Sequence, residues 1–247
     1  MTEPVVKPYG DKPGSKAHQV EAMFDAIAPR YDFLNRLLSL GIDVGWRRKV
    51  VRILKTVRPR RVLDVATGTA DLALMERHLK PERIVGVDLS EGMLALGRKK
   101  IEARGLNELI QLQKADAEHL PFEEGAFDAV SVAFGVRNFE HLQTGLWEMN
   151  RVLRPGGMLV VLEFSRPRKF PMKQLYRFYF TKLLPTVGNR VSGDAAAYSY
   201  LPESVEAFPD GEAMLERMRQ CGFQHCRERR LTGGIATIYI GMKANKP

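Results

Sequence analysis

The stretch VLDVATGTAD, residues 62–71, constrains the fold of this chain more than any other. It joins a short apolar strand, Val62-Leu63, to a turn of small residues, and Asp71 begins a helical pattern. Backbone N–H groups and the positive end of the helix dipole meet at a junction of this kind, so it is a favoured place for a nucleotide or a cofactor. The spacing of glycines then decides which kind of ligand the loop accepts.

Strands and helices alternate along the rest of the chain. Apolar runs predict further strands at 84–88, 110–114, 129–134 and 158–164, and near 223–230 and 236–242. Helices are predicted over 71–79, 91–104, 142–153, 170–184 and 211–221, with Ser90 as an N-cap and Gly105 as a C-cap. This alternation is typical of an α/β fold in which helices cover both faces of a parallel sheet. The ligand is then expected outside the carboxyl ends of the strands.

Two helices are predicted before the loop, over 17–38 and 44–57. Pro29 is expected to break or redirect the first of them near Ala28, because proline removes a helical hydrogen bond. The polar and aromatic residues that follow, among them Tyr31, indicate either a lid over a site or a helix packed on the edge of the domain.

The composition is typical of a globular protein, for which the cytoplasm is the expected location. Of the 247 residues, 45% are hydrophobic, and no run of about 18 apolar residues predicts a spanning helix. The N-terminus lacks the apolar core of a secretory signal, and Cys221 and Cys226 do not make a disulfide framework. The net charge of +9 fits nucleic acid, an anionic membrane surface, or solubility alone. The basic residues concentrate in 47–61 and 166–182, where solvated helix faces are the simplest interpretation.

Three acids, Asp64, Asp88 and Asp116, follow the first three predicted strands of the sheet. An acid after the second strand can bind both ribose hydroxyls of an adenosine, which fits NAD as well as S-adenosylmethionine. A dinucleotide loop needs the spacing GxGxxG, whereas only Gly68 is a glycine in this turn. Asp64 would repel phosphate and suits a cationic aminoacyl sulfonium, so the pattern favours S-adenosylmethionine. The structural alternative is that the acids only cap helices.

Several segments carry a more specific pattern. They are MFDAIAPRYDFLNRLLSLGID at 23–43, VLDVATGTAD, DAEHLPF from Asp116, FDAVSVAFGVRN at 127–138 and EMNRVLRPGGMLVVLEFSRP at 148–167. With them the chain, from residue 20 to 243, resembles the class I S-adenosylmethionine-dependent methyltransferases, and more closely the ubiquinone/menaquinone biosynthesis C-methyltransferase family. The resemblance implies a Rossmann-like three-layer sandwich with a seven-stranded sheet ordered 3-2-1-4-5-7-6 and an antiparallel strand seven.

The acids and the resemblance together imply a set of cofactor-binding positions. They are Asp64, Thr67, Gly68 and Thr69 at the loop, Asp88 and Leu89 after strand two, Asp116 and Ala117 after strand three, and Ala133 at the end of strand four. Ala70 replaces the family's usual glycine. An alanine at this position is tolerated if φ is negative and forbidden if φ is positive. Ala133 stands where the family often has a serine. The contact of that serine with the cofactor is therefore lost or supplied by the backbone.

The resemblance also implies the chemistry. A hydroquinone ring carbon accepts a methyl group once a ring hydroxyl has lost its proton, and the protein aligns the two reacting centres. FGVRN is expected at the mouth of strand four, where Arg137 stabilises the oxyanion or orients a water and Asn138 bonds the ring oxygen. Tyr31, with Asp32, is a further catalytic candidate, and a structural salt bridge is the alternative for Arg137. No metal is expected, because the five histidines lack ligand spacing.

A flexible tail over 1–19 and one domain over 20–243 are expected, with lid helices at 20–58 and an insertion at 165–205 that faces substrate or lipid. The basic aromatic helix 170–184 either packs an apolar stripe on the core or forms a lip for a polyprenyl tail at an anionic membrane. Tyr198 and Tyr200 are either walls of the substrate channel or loop anchors.

The leading hypothesis is an enzyme that methylates a ring carbon of a prenylated quinol, most simply demethylmenaquinol, with a benzoquinol of ubiquinone biosynthesis as the alternative. An RNA or protein methyltransferase, a non-catalytic cofactor-binding partner and an NAD dehydrogenase are the competing classes. The expected partners are the quinol and, reversibly, the inner face of the cytoplasmic membrane, without nucleic acid. A homo-oligomer is compatible with the sequence, which is silent on oligomeric state.

Overall fold

A seven-stranded sheet organises the part of the chain that the structure, a computed structural model, describes: residues 6–10, 12–39, 41–178 and 195–245. The strands are β1 (Arg61–Val65), β2 (Arg83–Asp88), β3 (Ile110–Lys114), β4 (Phe127–Ala133), β5 (Leu153–Phe164), β6 (Phe223–Leu231) and β7 (Ala236–Lys243). Their order in the sheet is β3-β2-β1-β4-β5-β7-β6. Strands β1 to β5 pair in parallel, and β7 is antiparallel to both β5 and β6. The predicted strand order and the antiparallel strand are therefore confirmed.

Helices cover both faces of this sheet. They are α1 (Lys16–Leu38), α2 (Ile42–Leu54), α3 (Asp71–Glu76), α4 (Glu91–Glu102), α5 (Leu142–Val152), α6 (Met172–Phe178), α7 (Ala195–Ala207) and α8 (Glu212–Gln220). Because both faces are covered, the central strands are continuous apolar runs, as in β1, where Val62, Leu63 and Val65 are fully buried. Among the described residues, no helix is both long enough and apolar enough to cross a membrane.

Two capping predictions have different outcomes. Ser90 is the N-cap of α4, and its hydroxyl accepts a hydrogen bond of 3.1 Å from the Met93 amide. The C-cap of α4 is Ala103 rather than Gly105. Gly105 lies two residues further on with φ +62, where a left-handed backbone turns the chain toward β3.

The predicted break at Pro29 does not occur, because α1 continues through the proline to Leu38. Side chains on both sides of the proline bind the body of the domain, Asp25 to Ser90 and Asp32 to Thr69.

The expected boundary at residue 20 lies inside α1, which begins at Lys16. Lys16 and Gln19 are both buried, and the apolar side chains of Val6 and Tyr9 pack against Val20. These residues of the expected tail therefore belong to the packed structure.

Helix α7 was not predicted. Its sequence begins AAAYSYL, which favours a helix because alanine and leucine have high helix propensity, but Pro202 inside it obscures the pattern. The predicted helix 170–184 is described only as far as Phe178, and its remaining residues lie outside the described part of the chain.

Candidate active site

A cleft lies at the carboxyl ends of β1, β2, β3 and β4. This is the edge at which parallel strands of such a sheet place their ligand. Helix α1 covers the cleft. The predicted residues that line it are Tyr31, Gly68, Asp88, Leu89, Asp116, Ala117, Ala133 and Asn138. The predicted residues Asp64, Thr67, Thr69 and Arg137 are not part of this lining.

The loop after β1 forms the floor of the cleft in an unusual backbone conformation. Ala66, Gly68 and Ala70 all have positive φ, of +53, +55 and +66. The Thr67 amide donates to the Val87 carbonyl of β2 at 3.0 Å, and the Ala70 amide donates to the Thr67 carbonyl at 2.9 Å. The loop is therefore tied both to itself and to the neighbouring strand.

The expectation that a positive φ forbids alanine at position 70 is wrong. A left-handed backbone costs an alanine about 1–2 kcal/mol. Ala70 is fully buried in an apolar cluster with Val62, Ala73 and Ile101. Burial of its methyl group offsets about 0.8 kcal/mol of that cost, and the hydrogen bond of its amide holds the turn.

Asp88 occupies the position expected of a ribose ligand. One of its carboxylate oxygens accepts from the Gly68 amide at 2.8 Å, and the other accepts from the Ser90 amide at 3.0 Å. Burial raises the pKa of this carboxyl, and the two amides oppose that shift. The carboxylate is therefore held in one orientation against the cleft.

Asp116 and Ala117 lie beyond the end of β3 on the adjacent wall. The Asp116 carboxylate accepts from the Glu118 amide at 2.9 Å, which fixes the turn, and Ala117 is buried. His119 follows them, but its ring is 81% exposed. It therefore lies at the surface rather than in the cleft.

Three predicted cofactor residues support the loop instead of lining the cleft. Asp64 is 1% exposed beneath the loop, where it accepts from the Thr67 hydroxyl at 2.7 Å. The Thr69 hydroxyl donates to Asp32 of α1 at 2.6 Å. The side chains of Asp64 and Thr67 thus fix the loop from below, while Thr69 connects it to the helix above.

The close approach of β4 to the loop depends on Gly135. A Cβ atom built on Gly135 would lie 2.4 Å from the Cβ of Ala66, well inside contact distance. Ala133 and Gly135 both line the cleft at this point. A side chain at residue 135 would therefore displace the loop.

Arg137 forms the salt bridge that remained open as an alternative role. Its guanidinium donates to the Glu163 carboxylate of β5 at 2.8 Å and to the Phe134 carbonyl, and it lies 5.5 Å from the centre of the Phe164 ring. Arg137 is 8% and Glu163 0% exposed. Burial raises the pKa of Glu163, while the Arg137 charge lowers it.

Sequence reasoning missed Glu163. The position was visible in the motif LEFSRP, because an acid at the end of β5 belongs to the same edge of the sheet as Asp88 and Asp116. Its partner was not visible, since Arg137 lies 26 residues away along the chain.

Asn138 and Tyr31 line the cleft as expected. Asn138 is 8% exposed, and its side-chain oxygen has no hydrogen-bond partner among the described residues. The Tyr31 ring packs edge-on against Phe24, with 5.8 Å between ring centres. Of the three predicted catalytic residues, two therefore lie at the cleft and Arg137 lies behind it.

Polar contacts hold α1 over the cleft from Lys16 to Asp32. Lys16 donates to the Arg137 and Phe139 carbonyls at 2.9 and 2.8 Å. Asp25 accepts from the Ser90 hydroxyl at 2.5 Å and from the Gly92 amide at 3.0 Å. Asp32 pairs with Lys100 at 2.5 Å. Burial lowers the pKa of Lys16 to about 8.

Helix α1 thus lies over the cleft, and it is attached through side chains that sequence reasoning passed over. In the sequence, Lys16, Asp25 and Lys100 resemble any other polar residues of a helical pattern. Only their long-range partners distinguish them.

Comparison with known proteins shows which family the chain is similar to. The model of the ubiE/COQ5 methyltransferase family matches residues 12–243. A demethylmenaquinone methyltransferase of Bacteroides fragilis is 50% identical over 239 residues, which cover 96% of this chain and 97% of that protein. One of Thermus thermophilus is 52% identical over 220 residues, which cover 89% and 99%. Among solved structures, the cyclase SpnF has a TM-score of 0.66 at 18% identity over 95% of this chain and 98% of that one, a likeness of fold alone.

The contact between β4 and the loop makes a prediction for Gly135→Ala. We expect the free energy of unfolding to fall by about 1–3 kcal/mol, the usual cost of overpacking, because the new methyl group overlaps Ala66. Gly45→Ala is the matched control, since no atom lies within 4 Å of its Cβ position inside α2. That control is expected to gain about 0.5–1 kcal/mol. Equal denaturation midpoints for the two variants in urea would contradict this reading.

Proposed function

Because the chain belongs to the ubiE/COQ5 methyltransferase family, we propose that it transfers a methyl group from S-adenosylmethionine to a ring carbon of demethylmenaquinol. The observation that carries this proposal is the likeness, over nearly the whole length of both chains, to enzymes named demethylmenaquinone methyltransferase. Fold alone would not support it, because one fold hosts many activities. The geometry of the cleft supports the proposal in two parts, a cofactor side and a substrate side.

The cofactor side fits S-adenosylmethionine by the chemistry of its residues. Asp88, oriented by two amides, would hold the ribose hydroxyls, and Asp116 with Ala117 would hold the adenine. The loop lacks the glycines that admit a pyrophosphate. Asp64 beneath it suits a cationic ligand more than a phosphate. S-adenosylmethionine supplies an electrophilic methyl group and leaves as S-adenosylhomocysteine.

The substrate side is marked by buried polar atoms without partners. Among the described residues, Arg137 Nε, Asn138 Oδ1 and the Tyr200 hydroxyl are buried and form no hydrogen bond. Each such atom costs about 1–3 kcal/mol when it stays unpaired. Asn138 lines the cleft, and Arg137 and Tyr200 lie on elements beside it, so we infer that a polar ligand pairs with them.

Helix α7 brings Tyr200 to this place. It packs against the turn Val136–Asn138, which carries the other two residues. Tyr200 is 2% exposed and packs on Val20 and Met23 of α1. Burial raises the pKa of Tyr200, while the charge of Arg137 lowers it, as expected for a hydroxyl within electrostatic reach of the guanidinium. Tyr198 precedes it on the same helix.

These residues would activate the ring through charge. A quinol oxygen that has lost its proton raises the electron density on the neighbouring ring carbon, which then attacks the methyl group. The ring proton at that carbon leaves afterwards and restores the aromatic ring. Arg137, fixed by Glu163, would place positive charge beside the oxyanion, and Asn138 and Tyr200 would fix the ring oxygens. Arg137 is too basic to remove the proton itself.

The functional test supplies methyl-labelled S-adenosylmethionine with either demethylmenaquinol or a demethoxylated benzoquinol analogue. We expect label on a ring carbon of the naphthoquinol. Label on the benzoquinol alone would place the enzyme in ubiquinone biosynthesis. Label on neither quinol, with intact cofactor binding, would contradict the proposal.

The substrate side makes a prediction for Tyr200→Phe. Loss of a hydrogen bond to a developing oxyanion is worth about 1.5–3 kcal/mol, so we expect turnover to fall about 10–100-fold while affinity for S-adenosylhomocysteine is unchanged. Tyr239→Phe is the matched control, because the buried Tyr239 hydroxyl accepts from the Gly211 amide at 2.9 Å, away from the cleft. A Tyr200→Phe enzyme as fast as the unmodified one would exclude Tyr200 from the reaction.

We also propose that α6 binds the membrane surface where a prenylated substrate resides. Its Leu175 and Phe178 are 57% and 63% exposed, and Phe170 just before it is 81% exposed. Lys169 and Lys173, both exposed, lie among them. Exposed apolar residues flanked by cations are typical of segments that insert into an anionic interface.

This surface makes a prediction for binding to vesicles. The protein is expected to sediment with vesicles rich in phosphatidylglycerol at low salt, and to be released at high salt because screening weakens the attraction. Leu175→Ser with Phe178→Ser should reduce that binding. Trp147→Ser is the control, since Trp147 is equally exposed, at 61%, but lies on α5. Equal binding to neutral and anionic vesicles at low salt would refute the electrostatic part.

A further inference from the structure

Two carboxyl groups lie together beneath the loop, inside the sheet. Asp64 of β1 is 1% exposed and Glu76 of α3 is 0% exposed. The Ser131 hydroxyl of β4 bridges them, at 2.6 Å from a Glu76 oxygen and 3.3 Å from an Asp64 oxygen. The other Asp64 oxygen accepts from Thr67 at 2.7 Å. The other Glu76 oxygen is buried without a partner among the described residues.

This site has too few hydrogen-bond donors to stabilise two carboxylates. Ser131 has one hydroxyl hydrogen and can give it to only one of the two acids. If both acids were ionised, Glu76 would hold a full charge with at most one hydrogen bond and a bare second oxygen. Unpaired charge of that kind is very costly in an apolar interior, so buried acids in contact retain a proton.

The charged groups around the pair decide which acid retains it. Arg47 of α2 is the cation whose field acts on Asp64, and it is itself paired with Asp43. Asp64 also accepts from Thr67, whereas Glu76 has only Ser131 and the repulsion of Asp64. Burial raises the pKa of Asp64 to about 7 and that of Glu76 well above its ordinary value. Once the pH exceeds the pKa of Asp64, the anion is therefore Asp64 and the neutral acid is Glu76.

We propose that Glu76 is a positioning residue that keeps a proton at neutral pH and, through Ser131, holds the anionic Asp64 beneath the cofactor loop. The neutral Glu76 donates to Ser131, Ser131 donates to Asp64, and Thr67 donates to the other Asp64 oxygen. The donors on both sides then converge on Asp64, and every hydrogen is used.

This chain of hydrogen bonds, from Glu76 through Ser131 and Asp64 to Thr67, is called the relay. It reaches the cleft through the loop. Thr67 is followed by Gly68, whose amide holds the Asp88 carboxylate. A relay that fixes Thr67 therefore also fixes the orientation of Asp88. Only this effect on affinity rests on the proposed function, since it assumes that S-adenosylmethionine and its product bind at Asp88.

The test compares Glu76→Gln, Glu76→Ala and Ser131→Ala. Glutamine is the matched variant because its amide N–H can donate to Ser131 as the neutral acid does. Affinity for S-adenosylhomocysteine, measured by calorimetry, is expected to stay within about twofold in Glu76→Gln and to weaken about tenfold in the other two, as for loss of one buried hydrogen bond. If Glu76→Gln weakens binding as much as Glu76→Ala, the neutral-acid assignment is overturned.

Infrared spectroscopy reads the proton directly and needs no ligand. A protonated carboxylic acid has a C=O stretch distinct from the carboxylate bands, and the unmodified protein is expected to show it at pH 8. The band should be absent in Glu76→Gln. Its absence from the unmodified protein would refute the proposal even if the variants bind as expected.

The pH dependence of stability gives a third readout. The pKa of Glu76 is raised on folding, so the folded state holds a proton that the unfolded state has lost above about pH 4.3. Its contribution is complete below that pH and is lost as pH rises toward the folded pKa. The free energy of unfolding in urea should therefore decline less steeply between pH 5 and 8 in Glu76→Gln. The difference in slope should correspond to the one proton that Glu76 binds in the folded state. Equal slopes would count against the stored proton.

The outcomes also separate this inference from the proposed function. If the quinol assay fails while the infrared band and the Glu76→Gln rescue are present, the relay stands and the substrate is wrong. If S-adenosylhomocysteine does not bind at all, the cofactor proposal fails, and the infrared band and the pH slopes still decide whether Glu76 holds the proton.

Discussion

The hydrogen bond between Thr67 and Asp64 is the interaction on which the rest of the site depends. It fixes a five-residue turn in which three residues have left-handed backbone, a conformation that a chain of mainly alanine and threonine would not adopt unaided. Once the turn is fixed, the Gly68 amide meets Asp88, Thr69 meets Asp32 on the covering helix, and the Ala66 methyl group fills the space that Gly135 leaves. One buried carboxylate thus positions Asp88, the covering helix α1 and the end of β4 together.

The sequence was sufficient for the sheet and for the position of the cleft, but not for the direction of its side chains. Buried strands are continuous apolar runs, and the acids at their ends mark one edge of the sheet, so Asp88 and Asp116 could be placed from the pattern. Asp64 follows the same rule but points beneath the loop, because the direction of a side chain at the end of a strand depends on the strands beside it. Glu163 was missed because its partner is distant along the chain, and α1 continues through Pro29 because tertiary contacts on both sides outweigh one lost hydrogen bond.

The excess of positive charge has more than one use in this fold. Arg47 and Arg137 are both buried, each beside a carboxylate and an aromatic ring, so neither belongs to a solvated helix face. The charge of Arg47 acts on Asp64 below the loop after β1, and Arg137 lies behind the cleft. The exposed cations of α6 are of a different kind, since they flank exposed apolar residues. Net charge alone could not distinguish these uses, which explains why nucleic acid remained an alternative at the level of composition.

The two ends of the cleft differ in how completely their polar groups are paired. At the cofactor end, Asp88 has a backbone donor on each carboxylate oxygen, and Asp116 has one as well, so the geometry exists before any ligand binds. At the other end, Arg137 Nε, Asn138 Oδ1 and the Tyr200 hydroxyl are buried and, within the described residues, unpaired. Leaving buried polar atoms unpaired costs free energy, so a protein retains them only where another gain outweighs that cost. Such unpaired atoms are found mainly at functional sites. The carboxylates at the ends of β2 and β3 are therefore oriented by the protein itself, whereas these three atoms would be paired by the quinol oxygens of the proposed substrate.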